Sequence, residues 1–319
     1  MEGVADIQQG EKKKYLSKIL SNWKKYKLYY LLILPGMLYY VIFHYIPMFG
    51  IVIAFKDISP FEGIRGIITG DWVGFKHFTK FFNSIYFWDI MKNTLAISFY
   101  KLLFGFPAPI ILALLLNEVR NKHFKKIVQT ISYLPHFISM VIVAGLLTNI
   151  LSTNGGIVNE ILKFFGKEPI FFLGDSRYFR SVLVASGVWQ GVGWGSIVYL
   201  AAISGIDTQL YEACIVDGGN KWDQIWHVTL PGIRNVIVLM LIMAIGGLLN
   251  AGFEQILLLY SPAVYDVSDI IDTYVYREGL INANYSFATA IGLFKSVIAM
   301  ILMMGSNYIA KLFDQEGIW

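Results

Sequence analysis

Residues 204–231 read SGIDTQLYEACIVDGGNKWDQIWHVTLP, the longest polar interruption between two apolar runs in the C-terminal half of the chain. The spacing predicts helix, turn, helix. Asp207 is placed to cap the first helix by accepting from an orphan backbone N–H. Leu210, Ala213 and Cys214 share one face of that helix. Gly218-Gly219 breaks it, because glycine takes left-handed backbone angles without a Cβ clash. Asn220 is placed to cap a second helix, with Asp223 in its first turn, where negative charge suits the helix dipole. Trp222, Ile225, Trp226 and Thr229 fall at i, i+3, i+4 and i+7 and form one ridge. Leu230-Pro231 is expected to end the second helix.

Outward from this stretch the chain is dominated by apolar runs. Of its 319 residues 56% are hydrophobic and 15% charged, where soluble domains carry about 25% charged residues. Six runs are each about long enough for a hydrocarbon core of roughly 30 Å. They cover residues 28–55, 94–116, 131–151, 182–202, 235–260 and 287–310. The first begins behind a long charged segment and is read as a span, not as a cleaved signal. Pro47 is expected to kink its outer end, and Pro107 and Pro109 lie inside the second. The formal net charge of +4 needs no nucleic acid to explain it. Seven lysines lie between Lys12 and Lys27, and the tail 1–27 fits either an interfacial helix or a disordered topogenic segment. Arg120, Lys122, Lys125 and Lys126 crowd the short connection between runs two and three. Lysine and arginine bias puts both basic segments inside. Six crossings then put 204–231, and the short tail 311–319, inside as well. Residues 56–93 read as a turn-rich outward loop followed by a surface helix over Phe78 to Trp88. Residues 154–180 form a second outward loop.

Glu212-Ala213-Cys214, three residues, Gly218, nine residues, then Val228-Thr229-Leu230-Pro231 resembles the E-A-A loop of ABC importer permeases. Asp217 before the glycine is usual in the sugar-transporting branch. Cys214 stands for the second alanine, Gly219 where alanine is common, Ile225 where an aromatic is common, and Val228 for isoleucine. Gly219 is expected to loosen the turn. Asp71-Trp72-Val73-Gly74-Phe75 also resembles a stretch of sugar-type permeases before their second span. The resemblance implies an all-α integral membrane fold, six transmembrane helices of a type I importer permease with a cytoplasmic coupling-helix loop. It is nearest to permeases for complex or acidic oligosaccharides. It implies a bacterial cell-membrane assembly with a second homologous permease, an ABC ATPase dimer and an extracytoplasmic solute-binding protein. ATP and magnesium would be bound by the ATPase subunits and no cofactor by this chain. Glu212, Ala213, Asp217, Gly218, Trp222, Ile225, Trp226 and Pro231 would form the coupling set.

The residues themselves offer no catalytic or metal constellation. There is no phosphate-binding G-x-x-x-x-G-K-[ST], no G-x-S-x-G, and the five histidines and single Cys214 lack metal-ligand spacing. An enzyme is therefore not expected. Substrate handling should fall to polar groups inside the spans, since charge there is costly unless it faces a cavity or partner. Those groups are Lys101, Trp189, Gln190, Trp194, Asn250, Glu254 and Lys295. The tryptophans suit either a sugar-stacking platform or helix packing beside Gly187, Gly191, Gly193 and Gly195. The lysines either face a cavity or snorkel to an interface. If both face the cavity, they hint at an anionic sugar. The alternatives are an ABC permease for another solute such as a peptide, and an ion-driven secondary transporter, which would carry broken helices near the midplane.

Overall fold

The computed structural model describes residues 25–63, 65–312 and 317. The interfacial-helix reading of the tail therefore lies outside the described residues for 1–24. Among those described, four helices are long and apolar enough to cross a membrane: Lys25–Phe55, Phe87–Glu118, Ser176–Ser204 and Tyr285–Leu312. Two bent helix pairs pass the same test only when each is taken together, Lys122–Phe137 with Met140–Ile150 at 102°, and Lys221–Gly232 with Arg234–Gly246 at 63°. The third apolar run is thus not a single rod, whereas the 63° bend lies just ahead of the fifth. The third turns at Ile138 and Ser139, directly after the 3-10 segment Leu134–Phe137 that holds Pro135.

The fifth run is interrupted outright. Its helix Arg234–Gly246 gives way to a 3-10 turn at Leu248–Asn250. Ala251 and Gly252 then take left-handed angles, φ 47° and 85°. A fresh helix runs from Phe253 to Leu259. Irregular backbone survives at membrane depth only where protein or a cavity surrounds it.

Both prolines expected to stop or kink a helix are instead carried through. Pro47 follows a π-helical turn at Val41–Tyr45, and Pro231 follows one at Ile225–Thr229. A proline ring collides with the carbonyl four residues back, and the wider π turn moves that carbonyl away. The second helix of the 204–231 stretch consequently runs on to Gly232, and the bend falls at Ile233.

Three apolar clusters hold the bundle. Ile97, Phe179, Leu183, Ile256 and Ile270 join spans two and four to the rewound end of span five. Ala113, Tyr199, Ile203 and Ile233 close the end that carries residues 204–231. Phe81, Ile90, Tyr274, Phe287 and Ile291 close the far end. The first span stands apart, its side chains exposed over most of its length, and it packs on Tyr285–Leu312 through its last turns, Phe49–Phe55.

The far-end connections depart from the expected all-helical picture. Lys56 pairs with Trp72 and Asp57 with Asp71 in a two-stranded antiparallel ribbon. The expected surface helix is shorter, Lys76–Phe82, and Trp88 already belongs to span two. The second far-end loop is organised by one buried amide. Asn159 donates to the carbonyls of Leu151, Ser152 and Ile170 at 3.0–3.1 Å and accepts from Ile170 N–H at 2.8 Å.

Candidate functional site

The 204–231 element is built by its caps. Asp207 accepts from Gln209 N–H at 2.9 Å and starts the helix Thr208–Val216. Asn220 accepts from Trp222 N–H and Asp223 N–H, and Asp223 answers by accepting from Asn220 N–H at 2.8 Å, a complete capping box. Between the caps Gly218 takes φ 85°, and Gly219 N–H donates to the Cys214 carbonyl at 2.8 Å. Gly219 does not loosen this turn. A Cβ there would lie 2.5 Å from Cys214 Sγ and 2.8 Å from its carbonyl oxygen, so glycine is what fits beside cysteine.

The two helices are clasped by Tyr211 and Thr229, whose hydroxyls lie 3.0 Å apart. Thr229 is therefore buried and leaves the expected ridge, because the π turn rotates it inward. What projects is a pair of indoles, Trp222 at 70% exposure and Trp226 at 63%, with Ile225 half-buried beside them. Glu212, Ala213, Asp217 and Pro231 are exposed on the same element. Glu212 overlooks a groove of about 400 Å³ that includes Glu118, Arg120, Tyr211 and Lys221. Lys221 reaches Glu118 at 3.0 Å and so ties the element to the end of span two. The basic connection after span two and the 204–231 element thus share one end of the bundle. Sequence reading did not single out Glu118, Lys221 or Gln224, which lies buried under the loop.

The seven polar groups inside the spans do not share one site. Lys101 donates to Gln255 Oε1 at 2.6 Å, and Gln255 Nε2 donates in turn to Leu183 O at 3.1 Å and Ser186 Oγ at 2.7 Å. Around this group lie two cavities of about 390 and 440 Å³. Asn250 lines the first, Gln190 and Glu254 the second, and Lys101 both. The unwound turn of span five forms the wall between them, with Gly252 shared.

Lys295 is elsewhere engaged. Its ammonium sits 2.6 and 2.7 Å from the two oxygens of Asp272 and 2.9 Å from Asn250 Oδ1. It does not present a free positive charge, which removes half of the two-lysine argument for an anionic sugar. Asp272, on the helix Ile271–Tyr276, was missed because it lies 23 residues away across a turn.

The tryptophans do not form one platform. Trp189 lines a cleft of about 900 Å³ with Tyr100, Phe104, Arg177 and Arg180. Gln190 turns the other way and donates to Ile138 O at the bend of the third run. Trp194 stacks face to face on His136, ring centres 4.6 Å apart and 3° from parallel. Of the four glycines read as packing residues, Gly193 lies against the Ser132 backbone and Gly195 against Pro109, whereas a Cβ at Gly191 would meet open space.

The far end holds a network not anticipated from sequence. Arg277 grips both oxygens of the buried Asp269, at 2.6 and 3.2 Å. Asn93 donates to Asp269 O and accepts from Arg180 at 2.7 Å. Burial pulls the pKa of Arg277 down, but the hydrogen bonds and charge of the Asp269 carboxylate outweigh it and hold the guanidinium above its ordinary value. Among the described residues no group of His, Cys, Asp and Glu is placed to hold a metal ion.

With this geometry in hand the chain can be compared with known proteins. The family model described as "Binding-protein-dependent transport system inner membrane component" matches residues 105–316. The polygalacturonan/rhamnogalacturonan transport system permease protein YteP of Bacillus subtilis (strain 168) is 47% identical over 308 residues, 97% of this chain and 95% of that protein. Protein LplB of the same organism is 46% identical over 296 residues, 93% of this chain and 92% of that one. Among solved structures, a chain of the bacterial alginate ABC transporter in complex with alginate pentasaccharide-bound periplasmic protein superposes with a TM-score of 0.86 at 42% identity. That match covers 93% of this chain and 99% of the other.

Proposed function

This chain belongs to the family of binding-protein-dependent transport inner membrane components, and we propose that it is one permease of an ABC importer for acidic oligosaccharides. The observation that carries the reading is the unwound turn of span five, Gly247 to Gly252, lining cavities inside the bundle. The relatives named for polygalacturonan and alginate transport support the acidic cargo. A binding protein delivers the sugar to the far end. A second, similar permease completes the path, and an ATPase dimer carrying ATP and magnesium engages Trp222 and Trp226. Apolar anchors on a short helix suit a groove on a partner. Both chain termini then lie in the cytoplasm of a bacterial cell membrane.

Substrate and nucleotide states act on the same equilibrium only through differential affinity for its two conformations. The 204–231 element should therefore govern coupling, while the Lys101 region governs cargo. The broken helix at mid-depth was the mark set for an ion-driven transporter. It occurs here in a chain of the binding-protein-dependent family, so it does not separate the two mechanisms.

The test is co-purification of the tagged chain with its genomic neighbours, followed by ATP hydrolysis with binding protein and oligogalacturonate. Capture of a second permease and an ATPase, with hydrolysis stimulated by loaded binding protein, is the expected result. A chain that purifies alone and moves solute on an ion gradient refutes it.

A further inference from the structure

We propose that Lys101 is the fixed cation that reads a carboxylate on the cargo, and that Lys295 plays no part in recognising that charge. This rests on the reading of the cargo as a sugar acid. The two intramembrane lysines differ in what their donors already do. A lysine ammonium has three N–H donors and no acceptor. Lys295 meets three acceptors, both oxygens of Asp272 and the oxygen of Asn250, and its charge is neutralised. Lys101 meets one side-chain acceptor, the neutral Gln255 Oε1, and forms no ion pair within 4 Å among the described residues.

The orientation of Gln255 is fixed by its other end. Its amide nitrogen donates to Leu183 O and Ser186 Oγ, which forces the oxygen toward Lys101. The amide thus aims the ammonium without cancelling its charge. Gly252 completes the seat, since any Cβ there would collide with Lys101 Nζ. Lys101 lines both cavities flanking the unwound turn, where a charge can stay only because a cavity faces it. Glu254 lines the second cavity but makes no ion pair with Lys101.

The approach has matching chemistry. Val184 and Val188 line both the second cavity and the wide cleft that holds Trp189, Tyr100 and Arg180. A sugar ring can stack on an aromatic face there while its carboxylate moves from guanidinium toward ammonium.

The assay is ATP-driven uptake of galacturonate trimer and of its methyl ester, by the full assembly with binding protein in proteoliposomes. Lys101→Gln keeps a donor for Gln255 and removes the charge. It should lower uptake of the acid roughly tenfold and that of the ester far less, as expected for one lost charge-assisted contact. Lys101→Arg should retain uptake of the acid. Asp272→Asn with Lys295→Met should affect acid and ester alike. Equal losses for both sugars in Lys101→Gln, or no loss, overturn the assignment. If the native assembly refuses the ester, the decision falls on the acid alone: retention in Lys101→Arg with loss in Lys101→Gln supports it, and equal behaviour of the two variants overturns it. Native uptake of the ester but not the acid, or of neither, overturns the acidic-cargo reading and this assignment with it.

Discussion

Replacing Trp222 or Trp226 with alanine should weaken the grip of the ATPase on this chain. Trp222 is 70% exposed and Trp226 63%. Seventy per cent of a side chain that buries up to about 250 Å² leaves about 175 Å² to cover, worth roughly 4 kcal/mol at ~25 cal/mol per Å². Association costs and imperfect burial remove much of that, so about 2 kcal/mol per indole is the working figure. That is roughly a thirtyfold loss of affinity for each variant. The two side chains are neighbours, and the double variant should lose less than the sum. The measurement is the Kd of the purified ATPase for the permease pair in detergent, followed by stimulated ATP turnover. Docking of the binding protein at the far end serves as a control and should not change. If both single variants shift the ATPase Kd less than about threefold, the area argument fails for this surface and the indoles serve another role, such as anchoring in the lipid interface.

Three further outcomes follow from local geometry. Asp272→Asn should lower the melting temperature of the assembly, since it strands the largely buried charge of Lys295 at a cost of about 3 kcal/mol, and adding Lys295→Met should restore most of the loss. Gly252→Ala forces a left-handed φ on alanine and pushes Lys101 from its seat, so a destabilisation of about 1–2 kcal/mol should accompany the same acid-selective uptake defect as Lys101→Gln. Gly219→Ala should cost about 1–2 kcal/mol of loop stability and reduce ATPase coupling, with Cys214→Ala relieving only part, because the sulfur departs while the carbonyl oxygen 2.8 Å away remains. Thermal melting of each pair, read beside ATP turnover, checks both effects.

What was legible in the sequence was what chemistry places within a few residues. Asp207, Asn220 and Asp223 cap as their types demand, and Trp222 and Trp226 project at helical spacing. The π turns before Pro47 and Pro231 were not legible, because proline is compatible both with stopping a helix and with being absorbed by one. The break in span five hid in an apolar run whose Gly246, Gly247 and Gly252 fit close packing as well as unwinding. Charge partners were the largest omission. Lys295 looked free until the chain brought Asp272 beside it, and Asp269, Arg277, Arg180 and Asn93 meet only in the folded bundle. The grouping of Trp189 with Gln190 and Trp194 failed because Gln190 and Trp194, one helical turn apart, both meet the bend of the third run, while Trp189 faces the opposite cleft.

The loop around Asn159 makes the far-end surface brittle at a few positions, this amide first among them, and forgiving between them. Four backbone groups, in three residues of the loop, are gathered by one side chain. Even a nearly isosteric Asp would face three carbonyl oxygens with no N–H to offer them. Beyond this amide, Gly155 and Gly166 hold left-handed angles, φ 76° and 71°, and a Cβ at Gly156 would collide with the Ser152 backbone, so those positions are tied to glycine while the other side chains are freer. Such a loop can change its outward face to follow a drifting partner while its backbone stays in place, provided that the amide and the glycines are kept.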